Sequence, residues 1–592
     1  MLNYEVRLMS GNEAIARGLY ESGVSLVTGY PGTPSSEVIK HLAEIDGELV
    51  CWSVNEKVAF EEAYAAALSG VRSACVMKHL GTHWILDPLA VSAITGVSGG
   101  LLIISADDPV PESSQSSTDT RNHAVICHIP VVEPSSPSEA KELVQHCFEL
   151  SERFNIPVLM RYTARLAHMS EPVDLGRRTP GRIAEFRSDP DRLVSIAPNA
   201  RRNIPELFRK VEEIREFVGK SPWVRIEEGS GSLGVVTSGV PYLHLKEVVE
   251  RENVRPHVLK LSVAYPLPDI SDFLSQMDRI IVLEDLDPIV EDQIYVLAYE
   301  KGISVKIIGK HSGHFRQYGE ITYEDVRSAL IGDPPRISRE LVPRRIPQLC
   351  PGCPHRGAFV AIKSLKDAIV LGDRGCYNQG GNPPLRAIDT AIAMGSSVAM
   401  AVGLWRAGVN RPIVAVIGDS TFFHAGIPPL VEAVVSRAPI VIAVLDNRWT
   451  CMTGHQPNPS TGLDHVGRER PRVSIEDVCR AVGVGFVITV DPYNVDEGRI
   501  AMKVALEVAR YKSLPSVVVF RRECVLQVIR REGRTGAKYS VGDECIGCLS
   551  CLSIGCPAMD LVEGKVVILD TCTGCGICSQ VCPVGAIRRE EP

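Results

Sequence analysis

Two side chains that carry oxygen, Asp419 and Asn447, each follow a short apolar run typical of a buried parallel strand. The runs span residues 413–417 and 440–445, and a helical stretch lies between them. Strand, helix and strand in this order form a βαβ unit, whose loops leave the same carboxyl edge of the sheet. Mg²⁺ takes a few hard oxygens from the protein together with phosphate oxygens. The spacing therefore predicts a divalent-ion site that holds a phosphorylated ligand.

Eight of the 18 cysteines lie within residues 545–582. They form the runs CxxCxxCxxxxCP and CxxCxxCxxxCP, and in this kind of repeat the fourth cysteine of each run binds the other cluster. Zinc ribbons do not fit, because they are built from paired CxxC halves. The pattern predicts two [4Fe–4S] clusters of the bacterial ferredoxin kind. The first would be held by Cys545, Cys548, Cys551 and Cys582, and the second by Cys572, Cys575, Cys578 and Cys556.

The stretch from Gly418 to Asn447 resembles the signature of thiamine diphosphate (TPP) enzymes, which is GDG followed one helix later by N or DN. Ser420 replaces the last Gly, a variation of the 2-oxoacid:ferredoxin oxidoreductases. Without the resemblance, the stretch would be an ordinary nucleotide-fold loop followed by a turn Asn. The resemblance implies that Mg²⁺ is bound by Asp419, Asn447 and the backbone carbonyl of Trp449. It implies further cofactor contacts from Gly418, Ser420, Thr421, Met452, Thr453, Gly375 and Cys376.

Glu56 lies where a strand gives way to an Ala-rich helix. A glutamate in a first helical turn is favourable simply because it is near the positive end of the helix dipole. In TPP enzymes, the glutamate at this place binds the aminopyrimidine ring of the cofactor. The resemblance therefore implies that Glu56 is catalytic. Since TPP sites lie between two domains, we expect it to come from a different domain than Asp419.

Two loops near the N-terminus resemble loops of the same enzymes. Residues 30–36, YPGTPSS, resemble the YPITPSS loop, which implies that Thr33 faces the oxo acid and that Gly32 loosens the loop. The alternative is a plain helix cap. Residues 78–88 resemble the KHVGLN loop of indolepyruvate ferredoxin oxidoreductase alpha subunits, with His83 in place of Asn.

Arg121 closes a polar loop over residues 113–121 that resembles the SSQ…DxR segment of the family. An arginine here either binds an anion or makes a structural ion pair. The sequence leaves both open.

Four more cysteines stand at positions that favour a metal site: Cys350, Cys353, Cys376 and Cys524. A CxxC pair by itself is a redox pair, half a zinc site or half an iron–sulfur site. The last two residues could equally be a pocket thiol and a small buried hydrophobe. The pyruvate and 2-oxoglutarate enzymes of the superfamily hold a cluster with such a set, so the resemblance implies a third [4Fe–4S] cluster.

The composition is that of a soluble protein: 45% of residues are hydrophobic and 23% are charged, with a net charge of −8. This charge offers no argument for binding nucleic acid. The N-terminus lacks a basic region followed by an apolar core, so we expect no secretory signal. The uncharged, mostly apolar run 390–405 is short for a membrane span. We expect a cytoplasmic protein.

The chain has 592 residues, enough for roughly three to five domains. We predict a multi-domain α/β protein with doubly wound parallel sheets and a small α+β tail. The predicted parts are a pyrimidine-type TPP domain (1–175), a connecting segment (176–230), a transketolase C-terminal-like domain (231–335), a pyrophosphate-type TPP domain (345–535) and a ferredoxin domain (536–592). Residues 334–347, rich in Arg and Pro, read as a linker.

The resemblance covers nearly the whole chain and identifies it as a member of the indolepyruvate ferredoxin oxidoreductase alpha subunits. It implies oxidative decarboxylation of an aryl 2-oxo acid with coenzyme A, with electrons passing through the clusters to ferredoxin. It also implies a smaller beta subunit and an (αβ)₂ assembly. Two alternatives remain: a non-redox TPP lyase or synthase with structural clusters, and an electron-transfer subunit with a degenerate TPP site.

Overall fold

A computed structural model describes residues 5–332, 346–533 and 536–590. The chain divides into two compact units, Met1–Arg339 and Glu340–Pro592. Most of the predicted linker 334–347 lies outside the described residues. No helix in the described ranges has the length and apolar character that a membrane span requires.

The larger sheet of the first unit has six parallel strands and one antiparallel edge strand. Its central strands are buried along their whole length, because helices cover both faces of a parallel sheet. In spatial order the strands are Val263–Tyr265, Val131–Val132, Val158–Thr163, Leu101–Asp107, Ser73–Lys78, Leu26–Gly29 and Val50–Trp52.

The second sheet of this unit has five strands. Its spatial order is Lys306–Ile308, Arg279–Leu283, Leu233–Ser238, His257–Leu261 and Val224–Glu227. The last of these strands comes from the predicted connecting segment and pairs antiparallel with its neighbour. The strand that follows His257–Leu261 in sequence, Val263–Tyr265, extends the larger sheet. Regular structure therefore crosses the predicted domain limit at 230, and one strand of the predicted third part belongs to the first sheet.

The remaining elements of the first unit are a two-stranded ribbon, Val6–Ser10 with Ser170–Asp174, and the helices. The helix predicted after Pro34 begins at Ser36, and the Ala-rich helix begins at Glu56 with Asn55 as its cap. The helices are Gly11–Glu21, Ser36–Ile45, Glu56–Leu68, His79–Trp84, Leu86–Thr95, Arg121–Cys127, Pro137–Phe154, Ala164–His168, Pro190–Leu193, Ala197–Gly219, Pro241–Glu252, Ser271–Ser275, Ile289–Lys301 and Tyr323–Ile331.

The second unit has a six-stranded, all-parallel sheet. Its spatial order is Thr390–Ala391, Ile369–Gly372, Ile413–Gly418, Val441–Asp446, Ser516–Arg521 and Phe486–Val490. Since all strands run the same way, their carboxyl ends share one edge. The helices on the two faces are Pro354–Ile362, Ser396–Arg406, Asp419–Thr421, Ile427–Val435, Ile475–Val482, Val495–Lys512 and Val525–Glu532.

The tail of the second unit is a small α+β region. Its strands form two antiparallel pairs, Tyr539–Val541 with Ile587–Arg589 and Met559–Val562 with Lys565–Ile568. One short helix, Ile577–Gln580, lies between the last two strands in sequence. Apolar residues of the tail share a core with Val495 of the parallel-sheet domain. The tail is therefore packed onto that domain.

Candidate functional site

The predicted βαβ unit is confirmed. Asp419 follows strand Ile413–Gly418 directly, and Asn447 follows strand Val441–Asp446 directly. The two strands are parallel neighbours, with Gly418 opposite Leu445. Both side chains therefore lie at the same carboxyl edge.

The carboxylate of Asp419 is buried and partly satisfied by neutral donors. Its Oδ2 accepts hydrogen bonds from Asn458 Nδ2 at 2.9 Å and from Ser460 Oγ at 3.1 Å. Burial first, and then the negative charge of Asp446, raise the pKa of Asp419 to about 7. Asp446 has a cation of its own, because Arg521 Nε donates to it at 2.6 Å. The oxygens of Asp419 and Asn447 fit a divalent cation, which would keep Asp419 ionised.

The amide of Asn447 is oriented on both sides. Its Oδ1 accepts the backbone N–H of Trp449 at 3.0 Å, and its Nδ2 lies 3.0 Å from His355 Nε2. Burial lowers the pKa of His355 to about 4, so this ring is neutral near pH 7 and Nε2 can accept from the amide. Sequence reasoning assigned no role to His355; the only signal was its place in the CPGCPHR motif.

Two predicted cofactor residues, Gly375 and Gly418, face the ring of Tyr377. A Cβ at Gly375 would lie 2.5 Å from a ring carbon, and one at Gly418 would lie 2.6 Å from the same ring. The absence of a side chain at both positions lets the aromatic ring pack at this edge. Whether a cofactor also approaches these glycines stays a prediction.

The other predicted cofactor residues lie on the loops that surround the edge. Met452 is 46% exposed, whereas Thr421 is buried. The hydroxyl contacts are Thr450 Oγ1 to Ser420 Oγ at 2.8 Å, Thr421 Oγ1 to the Arg374 carbonyl at 2.9 Å and Thr453 Oγ1 to Gln456 Oε1 at 2.7 Å.

The tail cysteines surround two separate cavities. The grouping is the same as the one that the spacing predicts, although the metal content stays a prediction. One cavity is lined by Cys545, Cys548, Cys551 and Cys582, and the other by Cys556, Cys572, Cys575 and Cys578. Each cavity is lined by four cysteines, which is the number of ligands that a cubane cluster takes.

The third cysteine set also comes together, beside the Asp419 edge. Burial first, and then the charges of Cys524 and Cys350, raise the pKa of Cys376 to about 12. The charge of Asp419 acts on Cys376 in the same direction. Burial raises the pKa of Cys353 as well, and Cys376 and Cys350 add to that shift. Three of these thiols, Cys350, Cys353 and Cys376, have raised pKa values, so they stay protonated near pH 7 unless a cationic centre binds them.

Two residues outside the predicted set stand next to it. Ligand atoms of Cys451, His455 and Cys524 all lie within 4.8 Å of one another. A hydrogen bond from Cys451 is the main cause that lowers the pKa of Cys524 to about 4, against the opposing effect of burial. Sequence reasoning assigned no role to Cys451, which lies between Thr450 and Met452 in the segment after Asn447.

The CxxC loop touches the second tail set. A Cβ at Gly352 would lie 2.0 Å from Thr573 Oγ1, and Gly352 lines the cavity that contains Cys572. The buried Arg356 donates to the carbonyl of Cys350 at 3.2 Å and also to the carbonyl of Ile554 in the tail. The third cysteine set is therefore linked by direct contacts to the tail set of Cys556, Cys572, Cys575 and Cys578.

In the first unit, Glu56 is buried at the start of its helix. Its side chain lies against Gly81: a Cβ there would come within 2.5 Å of Glu56 Cγ. Gly81 lies in helix His79–Trp84, whereas the resemblance predicts a loop over residues 78–88. The bare backbone at this glycine provides the space that Glu56 occupies.

Thr33 is half-buried, and its carbonyl accepts from Ser113 Oγ at 3.4 Å. That Gly32 widens or loosens the loop stays a prediction. The stem of Lys78 crosses Gly32, where a Cβ would meet Lys78 Cγ at 3.1 Å, and Lys78 Nζ donates to the Ser113 carbonyl at 3.3 Å. The missing side chain at Gly32 leaves room for this lysine side chain.

Arg121 is a structural ion-pair residue. It is fully buried and pairs with Asp119 at 2.6 Å, Glu284 at 2.8 Å and Glu133 at 3.3 Å. Its Nη2 also donates to the carbonyls of Asp285 and Asp287. No donor geometry is left for an outside anion, so that alternative is excluded.

Two family models match the chain. The model described as thiamine pyrophosphate enzyme, C-terminal TPP binding domain, matches residues 373–520. The 4Fe-4S binding domain matches residues 565–588. The first range contains the Asp419 edge, and the second contains the last four-cysteine run.

Full-length relatives are similar to the whole chain. The chain is 41% identical to indolepyruvate oxidoreductase subunit IorA of Methanothermobacter thermautotrophicus, covering 98% of this chain and 97% of that protein. It is 38% identical to the subunit IorA of Archaeoglobus fulgidus, covering 99% of each. The solved 2-oxoglutarate:ferredoxin oxidoreductase of Magnetococcus marinus, with 2-oxoglutarate, coenzyme A and succinyl-CoA bound, has a TM-score of 0.44 at 15% identity, covering 56% of this chain and 65% of that one.

Proposed function

Because the chain belongs to the family of indolepyruvate oxidoreductase subunit IorA, we propose that it oxidatively decarboxylates an aryl 2-oxo acid such as indolepyruvate. Coenzyme A accepts the acyl group, and the products are an aryl-acetyl-CoA and CO2. Two electrons leave the substrate, one at a time, through [4Fe–4S] clusters to ferredoxin. The observation that supports this proposal best is the third cysteine set beside Asp419, because it puts candidate electron acceptors next to a candidate diphosphate site.

In this proposal residues 1–175 are the pyrimidine-type TPP domain and 345–535 the pyrophosphate-type domain. Residues 231–335 are transketolase C-terminal-like, and 536–592 are the ferredoxin domain. Asp419, Asn447 and the carbonyl of Trp449 hold Mg²⁺. His355 keeps the Asn447 amide turned so that its oxygen stays on the Trp449 side.

The chemistry that TPP supplies when bound is a carbon nucleophile for the 2-oxo carbon and a sink for the electron pair left by CO2. Glu56 binds the aminopyrimidine ring and exchanges a proton with it. The missing side chain at Gly81 leaves the space that Glu56 occupies. Thr33 faces the oxo acid. Cys376 stands on the cofactor side of the third cysteine set.

The proposed electron path follows the contacts within the second unit. The third set holds the first cluster. Gly352 and Arg356 join it to the cluster of Cys556 and its partners. The cluster of Cys545 and its partners, whose Cys548 is exposed, then faces ferredoxin. The relatives are named as a subunit, which supports the existence of a partner subunit. In this proposal the partner is a smaller beta subunit in an (αβ)₂ assembly.

An anaerobic titration of the holoenzyme with its partner subunit tests the proposal. Indolepyruvate and other 2-oxo acids are added singly, and cluster absorbance and acyl-CoA formation are followed. Bleaching that needs a 2-oxo acid, with thioester formed when coenzyme A is added, is the expected result. Aldehyde release without bleaching would identify a non-redox lyase. Clusters that respond to reduced ferredoxin and to no 2-oxo acid would identify an electron-transfer subunit.

A further inference from the structure

Backbone hydrogen bonds hold the loop that carries Cys451 and His455 beside Cys524. Thr450 N–H donates to the Gln456 carbonyl at 2.9 Å and closes the loop. On the other side, the backbone N–H of Cys524 donates to the carbonyl of Asn447 at 3.1 Å. Both partners are therefore anchored to the same sheet edge. The ligand atoms of Cys451, His455 and Cys524 lie within 4.8 Å of one another.

The contact with Arg530 shows which ring nitrogen of His455 carries the hydrogen. Arg530 Nη1 lies 3.2 Å from His455 Nδ1, and a guanidinium only donates, so Nδ1 accepts and Nε2 carries the ring proton. This Nε2 is buried and has no hydrogen-bond partner in the described part of the chain. The sulfur of Cys451 lies within 4.8 Å of the Cys524 sulfur, and its S–H is the hydrogen-bond donor that it can offer. An S–H group and an unsatisfied N–H thus stand next to one cysteine sulfur.

We infer that Cys451 and His455 are positioning residues, which donate hydrogen bonds to the Cys524 sulfur and raise the reduction potential of the third cluster. The inference rests on the proposed role of Cys524 as a ligand of that cluster. Reduction adds negative charge that is shared by the ligand sulfurs, so a donor stabilises the reduced state more than the oxidised state. Hydrogen bonds to the sulfurs and neighbouring polar groups are established controls of cluster potential.

The consequence concerns the first electron transfer. The third set lies beside Asp419, and a higher potential at this place makes the first acceptor easier to reduce. The effect acts through the ligand Cys524, because Cys451 and His455 are grouped with that sulfur. The two tail clusters lie in other cavities and serve as internal references.

The test uses the anaerobic holoenzyme and the variants Cys451→Ala, Cys451→Ser and His455→Ala. Cys479→Ala is the matched control, because Cys479 is a fully buried thiol of the same domain in an apolar cluster. Iron is counted, and the clusters are titrated potentiometrically with detection by electron paramagnetic resonance. We expect about twelve irons in every protein on the cubane count. The third cluster should shift to a more negative potential in Cys451→Ala and His455→Ala, return toward the original value in Cys451→Ser, and stay unshifted in Cys479→Ala.

Three results would overturn the inference. An unchanged third potential in Cys451→Ala at full iron content shows that the thiol does not act on the cluster. Loss of about four irons in Cys451→Ala shows that it is a ligand. About eight irons in the unmodified protein remove the third cluster, and with it this inference and that part of the proposed function. The iron count therefore separates failure of the proposed cluster from failure of the inference alone.

Discussion

Replacing Gly81 by Ala tests the placement of Glu56, while Glu56 itself and the residues of the Asp419 edge keep their identity. The new Cβ would lie 2.5 Å from Glu56 Cγ and 2.9 Å from Met77 Cβ. The Met77 atom is tied to the backbone of a buried central strand, so it cannot retreat. The Glu56 side chain must therefore move. To reach ordinary contact at 3.4 Å, its Cγ must shift by about 0.9 Å.

The expected cost is small for folding and large for catalysis. Extra volume in a packed interior costs about 1–3 kcal/mol, and replacing Gly by Ala inside a helix returns about 1 kcal/mol. The net loss of stability is then about 0–2 kcal/mol. A displacement of about 1 Å at a reacting group costs on the order of 10²-fold in rate. Turnover should fall about 100-fold while the fold and the iron content persist.

The assay compares kcat and KM for the 2-oxo acid at saturating TPP, together with thermal unfolding and iron content. Gly403→Ala is the control, because Gly403 lies in an exposed stretch of helix where a Cβ meets nothing within 4 Å. That variant should keep its turnover. If Gly81→Ala also keeps its turnover, Glu56 is either not held by this contact or not needed for the reaction.

Three further variants test other parts of the molecule. Glu56→Gln should lower turnover by roughly 10²–10⁴-fold and leave TPP binding and iron unchanged, since an amide cannot exchange the proton; steady-state rates equal to those of the unmodified enzyme contradict this role. Asp419→Ala should weaken Mg²⁺ and TPP binding together. If calorimetry gives the variant the same TPP affinity as the unmodified protein, both with and without metal, Asp419 does not hold the ion. Arg121→Met should destabilise the protein by about 3–5 kcal/mol in denaturant unfolding, because it leaves buried carboxylates unpaired, whereas Arg209→Met at an exposed pair should change stability little. Equal stability of the two arginine variants would show that the buried network is not needed.

The sequence by itself determined the two strands that carry Asp419 and Asn447 and the grouping of the tail cysteines. Strands buried on both faces require continuous apolar runs, so the residues before Asp419 and Asn447 were recognisable. The strands predicted over residues 413–417 and 440–445 are present as Ile413–Gly418 and Val441–Asp446. Cluster ligands in the tail are close in sequence, and their spacing is set by the geometry of the cubane. Both signals lie in short stretches of sequence, so they can be recognised before the fold is known.

Only the tertiary structure decided which distant residues meet. Arg121 pairs with Glu284, and no pattern around either residue marks that contact. Cys451 and Cys524 come together because their loops leave neighbouring strands of one sheet, which their separation in sequence conceals. Strand Val263–Tyr265 joins the larger sheet, although its sequence neighbours lie in the smaller one. In each case the partner is chosen by packing and by burial of charge across the whole domain, and these act only after the chain has folded.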